Sequence, residues 1–253
     1  MADLRSSVID EEIKSFNERA DVFWDPNGPM MMLHKMIPAI RIPLVLDGLT
    51  ESGLIKKENR DKSNVLEGLK ILDVGSGAGL MSEPLALLGA EVVGIDPAEK
   101  LVERAREHLK IHENLKVTYI CDTIESYCRE NKDKFDAVTF FDVAEHVADL
   151  SSVLKASVEC LKPGGQIFIT TWNKTFMGWL YGIIMLEYVA RIVPRGAHSI
   201  SMFVNPEAIE ALLRVFGCED IETRGTWYSL WTKDWSFTNY KDVFYAMKAV
   251  KRK

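Results

Sequence analysis

Long apolar runs are missing from this sequence of 253 residues. The longest stretch free of charge, Thr175–Leu186, has twelve residues, against the ~20 that a helix needs to cross a bilayer. No basic segment followed by an apolar one opens the chain, so a secretory signal is not expected. Asp3, Asp10, Glu11, Glu12 and Glu18 carry the wrong sign for an intact mitochondrial presequence. Cysteine is scarce. Cys121, Cys128, Cys160 and Cys218 show neither C-x-x-C spacing nor a paired framework, which argues against a disulfide scaffold and for idle thiols in a reducing compartment. Positive charge is not in excess either: 31 Lys and Arg face 37 Asp and Glu, a net charge of −6. No nucleic-acid partner is expected, because non-specific binding to phosphate backbones runs on Lys and Arg. Repeats and low-complexity tracts are also lacking. What is plentiful is apolar side chain, 47% of residues, enough for a large core serving a small-molecule partner.

Hydrophobic periodicity divides the chain into an N-terminal block, a long alternation and a tail. Residues 3–20 read as a mostly polar helix, Phe23-Trp24-Asp25-Pro26-Asn27-Gly28 as a turn, and Met30–Leu49 as helix interrupted by Pro38 and Pro43. Strands are expected at Leu69–Val74, Glu91–Ile95, Leu115–Cys121, Phe135–Phe141 and Gln166–Trp172, with helical segments between them. An apolar stretch, Met177–Val193, interrupts the pattern. A helix from Asn205-Pro206-Glu207 and strands near Glu219–Arg224 and Val243–Val250 close it. Strands separated by helices imply right-handed crossovers and a mostly parallel sheet covered on both faces. The expectation is one domain over residues 1–253: an N-terminal helical extension (1–68), a ligand-binding core (69–175), an apolar insertion (176–200) and C-terminal helix and strands (201–253).

The strongest local signal is Asp73-Val74-Gly75-Ser76-Gly77-Ala78-Gly79, directly after the first strand. Alternate glycines let the backbone turn tightly and approach a ligand without obstruction from Cβ. Asp96 ends the second strand, where a carboxylate can accept hydrogen bonds from both hydroxyls of a ribose. A dinucleotide enzyme would share these two features. It would want a small residue where this chain has Leu80, and Asp73 would repel a pyrophosphate but suits a ligand with a cationic amino-acid end. That ligand is S-adenosylmethionine, and D-x-G-x-G-x-G resembles motif I of the class I methyltransferases, whose fold is a doubly wound, Rossmann-like α/β sheet of seven strands. Asp122, after the third strand, stands where such enzymes place an acidic or polar residue near the adenine. Leu161-Lys162-Pro163-Gly164-Gly165 resembles their turn before the fifth strand.

After the fourth strand, Asp142, Glu145 and His146 are spaced i, i+3 and i+4, which would put them on one face of a helical turn. Two carboxylates and an imidazole can ligate a divalent cation, with oxygen-rich coordination favouring magnesium. The same residues can instead shape the loop or line a substrate pocket without metal.

Read end to end, residues 23–251 resemble the ubiquinone-biosynthesis O-methyltransferases, which methylate polyprenyl catechols. The resemblance is carried by Phe23-Trp24-Asp25, Leu33-His34-Lys35, Ile167–Lys174 and, most specifically, Ile192-Val193-Pro194-Arg195-Gly196-Ala197-His198. It implies that Arg41, Gly75 and Asp96 contact S-adenosylmethionine beside Asp73, Gly77 and Asp122. It also implies that Phe141 lines that pocket and that Asp142, Glu145 and His146 bind Mg2+. Two departures stand out: the first metal ligand is usually Glu, one methylene longer than Asp142, and Ser76 replaces a cysteine. A magnesium chelating both catechol oxygens would lower the pKa of the attacked hydroxyl and aim it at the sulfonium methyl. His198 is the candidate to receive the proton; a structural or substrate-orienting role stands beside that one. Further implied are peripheral membrane contact through the insertion and a place in a multi-enzyme ubiquinone-biosynthesis complex. The compartment would be the matrix side of the mitochondrial inner membrane, or the cytoplasm in a bacterium. Competing readings are a methyltransferase acting on carbon or nitrogen, an NAD-dependent reductase and a non-catalytic scaffold. Aromatics between Trp227 and Tyr240 suit a pocket wall or plain core, and His108 and His112 read as solvent-facing.

Overall fold

A computed structural model describes residues 7–112, 114–192, 196 and 199–253. The helices are α1 (Asp10–Glu18), α2 (Met31–Met36), α3 (Ile42–Glu51), α4 (Ser82–Leu87), α5 (Glu99–Leu109), α6 (Ile124–Cys128), α7 (Leu150–Cys160), α8 (Phe176–Gly178) and α9 (Pro206–Val215). The strands are β1 (Lys70–Val74), β2 (Glu91–Asp96), β3 (Val117–Cys121), β4 (Phe135–Phe141), β5 (Leu161–Trp172), β6 (Cys218–Ser229), β7 (Asp234–Thr238) and β8 (Phe244–Lys251). They form one sheet in the order β3-β2-β1-β4-β5-β8-β6-β7. The first five are parallel, and β8, β6 and β7 add antiparallel pairings.

Alternation along the central strands sorts their side chains onto two faces. Ile71, Ala137, Phe168 and Ala246 pack with the N-terminal helices on one side. Leu72, Val138, Ile167, Ile169 and Met247 pack with residues of α6, α7 and α9 on the other.

Three expectations need correction. The sheet has eight strands, not seven, because Asp234–Thr238 pairs along β6; its aromatic residues had obscured a strand pattern. The Lys162–Gly165 segment is not a free turn. It bulges inside β5, whose partners jump from Phe135↔Leu161 to Ala137↔Gln166, and Gly164 takes φ +81° within it. The prolines at 38 and 43 do not interrupt the N-terminal helix. Ile37–Arg41 widens into a π turn joining α2 to α3, which absorbs the missing Pro38 donor and the clash of its ring with the preceding turn. The insertion is likewise wound as a π-helix, Trp179–Val189, continuing α8.

Candidate cofactor and substrate site

A cavity of about 270 Å³ opens beyond the C-terminal ends of β1, β2 and β4, at the switch point where chain order reverses on either side of β1. The glycine loop forms its floor. Gly75 N–H and Ser76 N–H both donate to the Ile95 carbonyl, at 2.9 and 3.0 Å, folding the loop against the end of β2. Gly75 sits at φ +69°, and a Cβ there would lie 2.5 Å from the Val143 side chain, so both conformation and space demand glycine.

Asp96 is buried, and its two oxygens accept from Gly77 N–H at 2.9 Å and Ala98 N–H at 2.8 Å. Burial pushes its pKa up to about 6 despite those bonds. Its remaining lone pairs are the acceptors a ribose would meet. Asp122 and Phe141 also line the cavity. Asp73 lines it as well, but its oxygens accept from Ser82 Oγ at 2.6 Å and Thr139 Oγ1 at 2.7 Å. It therefore ties β1 to β4 and α4, and burial raises its pKa.

Arg41 reaches the cavity from the π turn. It is buried, pairs with Asp142, and lies with its guanidinium carbon 5.1 Å from the centre of the Phe141 ring. Asp142 takes φ +55°, and its other oxygen accepts from Thr170 Oγ1 at 2.8 Å. Glu145 is buried; one oxygen accepts from Thr171 Oγ1 at 2.6 Å, and Oε1 has no hydrogen-bond partner. Burial raises its pKa. His146 Nδ1 is 3.0 Å from Glu12 of α1, and Phe16 meets the ring edge-on at 5.0 Å. Burial disfavours the charged imidazole, yet the bond to Glu12 and the carboxylates of Glu145 and Asp142 outweigh it and raise the pKa.

The expected metal cluster is therefore not gathered. Asp142, Glu145 and His146 all line one cavity, but Arg41, Thr171 and Glu12 each hold one of them. Among the described residues no three acidic, histidine or cysteine side chains are grouped closely enough to grip an ion. The donor types suit a hard divalent cation, and the buried, unpartnered Glu145 Oε1 is the one atom positioned to want it. His198 lies outside the described residues, together with Val193, Pro194, Arg195 and Ala197.

Several lining residues were not legible beforehand. Glu12, Ile13 and Phe16 of α1 roof the cavity, and Asn17 Oδ1 accepts from Lys100 N–H at 2.9 Å, which seats that helix on α5. Past the Arg41–Asp142 pair the wall turns apolar, through Met32, Met36, Trp172, Trp235 and Phe244. The 227–240 aromatics are divided: Trp235 walls this cavity and donates to the Met32 carbonyl at 3.1 Å, whereas Trp231 is 97% exposed.

A methyltransferase-domain family model matches residues 44–223. The mitochondrial ubiquinone biosynthesis O-methyltransferase of Rattus norvegicus is 37% identical over 247 residues, 97% of this chain and 70% of that protein. The ubiquinone biosynthesis O-methyltransferase of Bradyrhizobium sp. (strain ORS 278) is 36% identical, over 96% of this chain and 94% of that protein. The chain spans 66–70% of the length of the mammalian relatives it matches. In fold it is similar to the magnesium protoporphyrin IX methyltransferase of Synechocystis PCC 6803 with bound SAH. The TM-score is 0.62 at 18% identity, and 94% of each chain is covered. Glycine loop, acidic strand end, cavity and a similarity that runs along nearly the whole of this chain converge: the chain belongs to the ubiquinone biosynthesis O-methyltransferase family, S-adenosylmethionine-dependent enzymes of the class I fold.

Proposed function

We propose that this protein transfers the methyl group of S-adenosylmethionine to a catechol oxygen of a polyprenyl intermediate, a polyprenyl-dihydroxybenzoate or demethylubiquinol, in ubiquinone biosynthesis. The observation that carries the reading is the two-part cavity. Its polar end holds Gly75, Gly77, Asp96 and Asp122, while its apolar end, beyond Arg41, is walled by Trp172, Trp235 and Phe244. A charged nucleoside suits the first and a prenylated ring the second.

In this reading Asp96 accepts from the ribose hydroxyls, and Gly75 and Gly77 give the cofactor close access to the backbone. Asp122 faces the adenine, Asp73 supplies negative charge toward the cofactor's amino group, and Phe141 with Arg41 closes the pocket over it. No covalent enzyme intermediate is needed: holding the oxygen in line with the S–CH3 bond and excluding water lower the barrier. Asp142, Glu145 and His146 would hold Mg2+, which lowers the pKa of a chelated hydroxyl. Arg41 and Glu12 compete with an ion for Asp142 and His146. His198 is our candidate proton acceptor.

Exposed Phe176, Tyr188 and Val189 around the insertion, with Arg191 just beyond, favour peripheral contact with a membrane interface. Among the described residues no helix is long and apolar enough to cross one. Relatives carry both mitochondrial and bacterial names, so the proposed address is the matrix side of the mitochondrial inner membrane or the bacterial cytoplasm, within a biosynthetic complex. The deciding experiment is product identification with a short-chain polyprenyl catechol, S-adenosylmethionine and magnesium, with and without chelator. An O-methylated ring formed only with metal supports the whole reading. Methylation undiminished by chelator removes the metal, and a carbon- or nitrogen-methylated product overturns the assignment.

A further inference from the structure

Phe23-Trp24 stands out in the sequence and has no part in the chemistry above, yet the structure makes Trp24 a junction. Its indole Nε1–H donates to the carbonyl of Ala78, inside the glycine loop, at 2.9 Å. Its face lies flat on the imidazole of His108, with ring centres 3.3 Å apart and planes 3° from parallel. His108 Nδ1 is in turn 2.9 Å from both oxygens of the buried Glu83 carboxylate, so His108 does not face solvent as its sequence context had suggested. The carboxylate fixes the imidazole plane, and the flat stack on the indole buries a face of each ring. Glu83 lies in the first turn of α4, and its N–H donates to the Gly79 carbonyl at 3.1 Å. One aromatic side chain thereby touches the glycine loop directly, and through one imidazole the helices that follow β1 and β2.

The neighbours of Trp24 tie this junction to the roof of the cavity. His34 Nε2 bonds the Phe23 carbonyl at 2.8 Å, fixing the turn, and Phe23 lines the cavity opposite the glycine loop. Upstream, α1 crosses the same cavity. At its far end, Val8 pairs with Val147 after β4, and Ala148 N–H donates to the Ser7 carbonyl at 2.8 Å. No residue of α1 itself is fully buried; between its ends the segment is held by Glu12 and Phe16 on His146 and by Asn17 on Lys100.

We propose that Trp24, with His108 and Glu83 behind it, is a positioning residue for the cofactor. It sets the glycine loop and clamps residues 7–23 over the cavity, and so governs how fast S-adenosylmethionine enters and S-adenosylhomocysteine leaves. The proposal rests on the reading that this cavity takes the cofactor.

The test compares full-length wild type with Trp24→Phe, His108→Ala and the double variant, with His112→Gln as control. His112 is exposed and lies 6.0 Å from the His108 ring. Readouts are KM for S-adenosylmethionine, kcat at saturation, the release rate of S-adenosylhomocysteine, and proteolysis of the N-terminal segment. His108→Ala should speed release and raise KM about tenfold and Trp24→Phe about fourfold, both leaving kcat within about threefold and exposing the segment to cleavage. The double variant should be no worse than His108→Ala alone, because the Ala78 bond and the His108 stack are links in series between the glycine loop and α5. Trp24→Phe keeps a ring on His108 and loses only the Ala78 bond, so it should be the milder of the two and remain folded. Single variants within about twofold of wild type on release and KM overturn the proposal, as do fully additive effects. Asp96→Asn is run alongside: if it weakens cofactor binding while the Trp24 and His108 variants do not, only the clamp falls. If it binds like wild type, the cofactor reading of the cavity falls and takes the clamp with it.

Discussion

Asp96→Asn should leave the cofactor-free protein about as stable as wild type at pH 7 while sharply weakening S-adenosylmethionine binding. In the folded protein burial holds the Asp96 pKa near 6, against 3.8 for the free side chain. The unfolded chain therefore gives up this proton first. Stability from the protonated carboxyl is complete below about 3.8 and is lost as pH rises through about 6, where the protein must carry a buried charge. That difference corresponds to a cost of about 3 kcal/mol above pH 6. Asparagine removes this cost. It offers only one acceptor to the two backbone donors, Gly77 and Ala98, so one N–H is left facing an NH2 group, at about 1–3 kcal/mol. The two effects nearly cancel. Binding has no such compensation, because ribose hydroxyls donating to a carboxylate make charge-assisted bonds. Losing that assistance should cost about 2–3 kcal/mol, roughly 30- to 150-fold in Kd. Calorimetric titration from pH 5 to 8 should show wild-type affinity rising through about pH 6 and levelling above it, with the variant weak and flat. A variant within about threefold of wild type, or a wild-type affinity independent of pH, would refute the assignment of Asp96 to the ribose.

Gly75→Ala should lower thermal stability by about 1–3 kcal/mol and largely abolish cofactor binding, since its φ of +69° and the Val143 side chain 2.5 Å from the added Cβ leave no room. Normal binding by this variant would show the loop to be more pliable than drawn. Glu145→Gln should weaken Mn2+ binding at least about tenfold, followed by the paramagnetic resonance of the free ion, with S-adenosylmethionine affinity unchanged. Equal Mn2+ affinity would take Glu145 out of the metal proposal. Replacing Phe176 and Val189, 68% and 62% exposed, with serine should reduce co-sedimentation with anionic vesicles about tenfold while the melting temperature stays put. Undiminished co-sedimentation would move the membrane contact elsewhere on the surface.

The parts of the site that could be read in advance were those whose logic is local. A glycine loop behind a short apolar strand, and an acid closing the next strand, are determined within a few residues, and both stand where the spacing put them. Contacts made across the chain were beyond reach. His146 finds Glu12 at a separation of 134 residues, and nothing near Glu12 marks it as more than one acid on a polar helix. Trp24 read as part of a turn within a family-like stretch and His108 as a surface histidine; nothing in the sequence paired the two before α5 brought them together. In β7, Trp235 and Phe237 point the same way along the strand, but only five residues carry the pattern, too few to separate a strand from an aromatic patch. The partners of the proposed metal ligands were hidden for a similar reason. Spacing i, i+3, i+4 puts three side chains on one face, but says nothing of the arginine and glutamate waiting there.

The π turn at Ile37–Arg41 makes the aim of Arg41 a matter of counting. Such a turn holds one residue more than a regular helix would over the same span, and each residue rotates a helix by about 100°. Deleting a single residue between Ile37 and Ile40 would let α2 run straight into α3, swinging every later side chain around the axis and pointing the guanidinium away from Asp142 and Phe141. The chain would keep its arginine and lose its reach. Variants in this stretch thus divide by length before they divide by chemistry: substitutions that preserve the extra residue keep the phase of the helix, and the conservative-looking loss of one apolar residue does not.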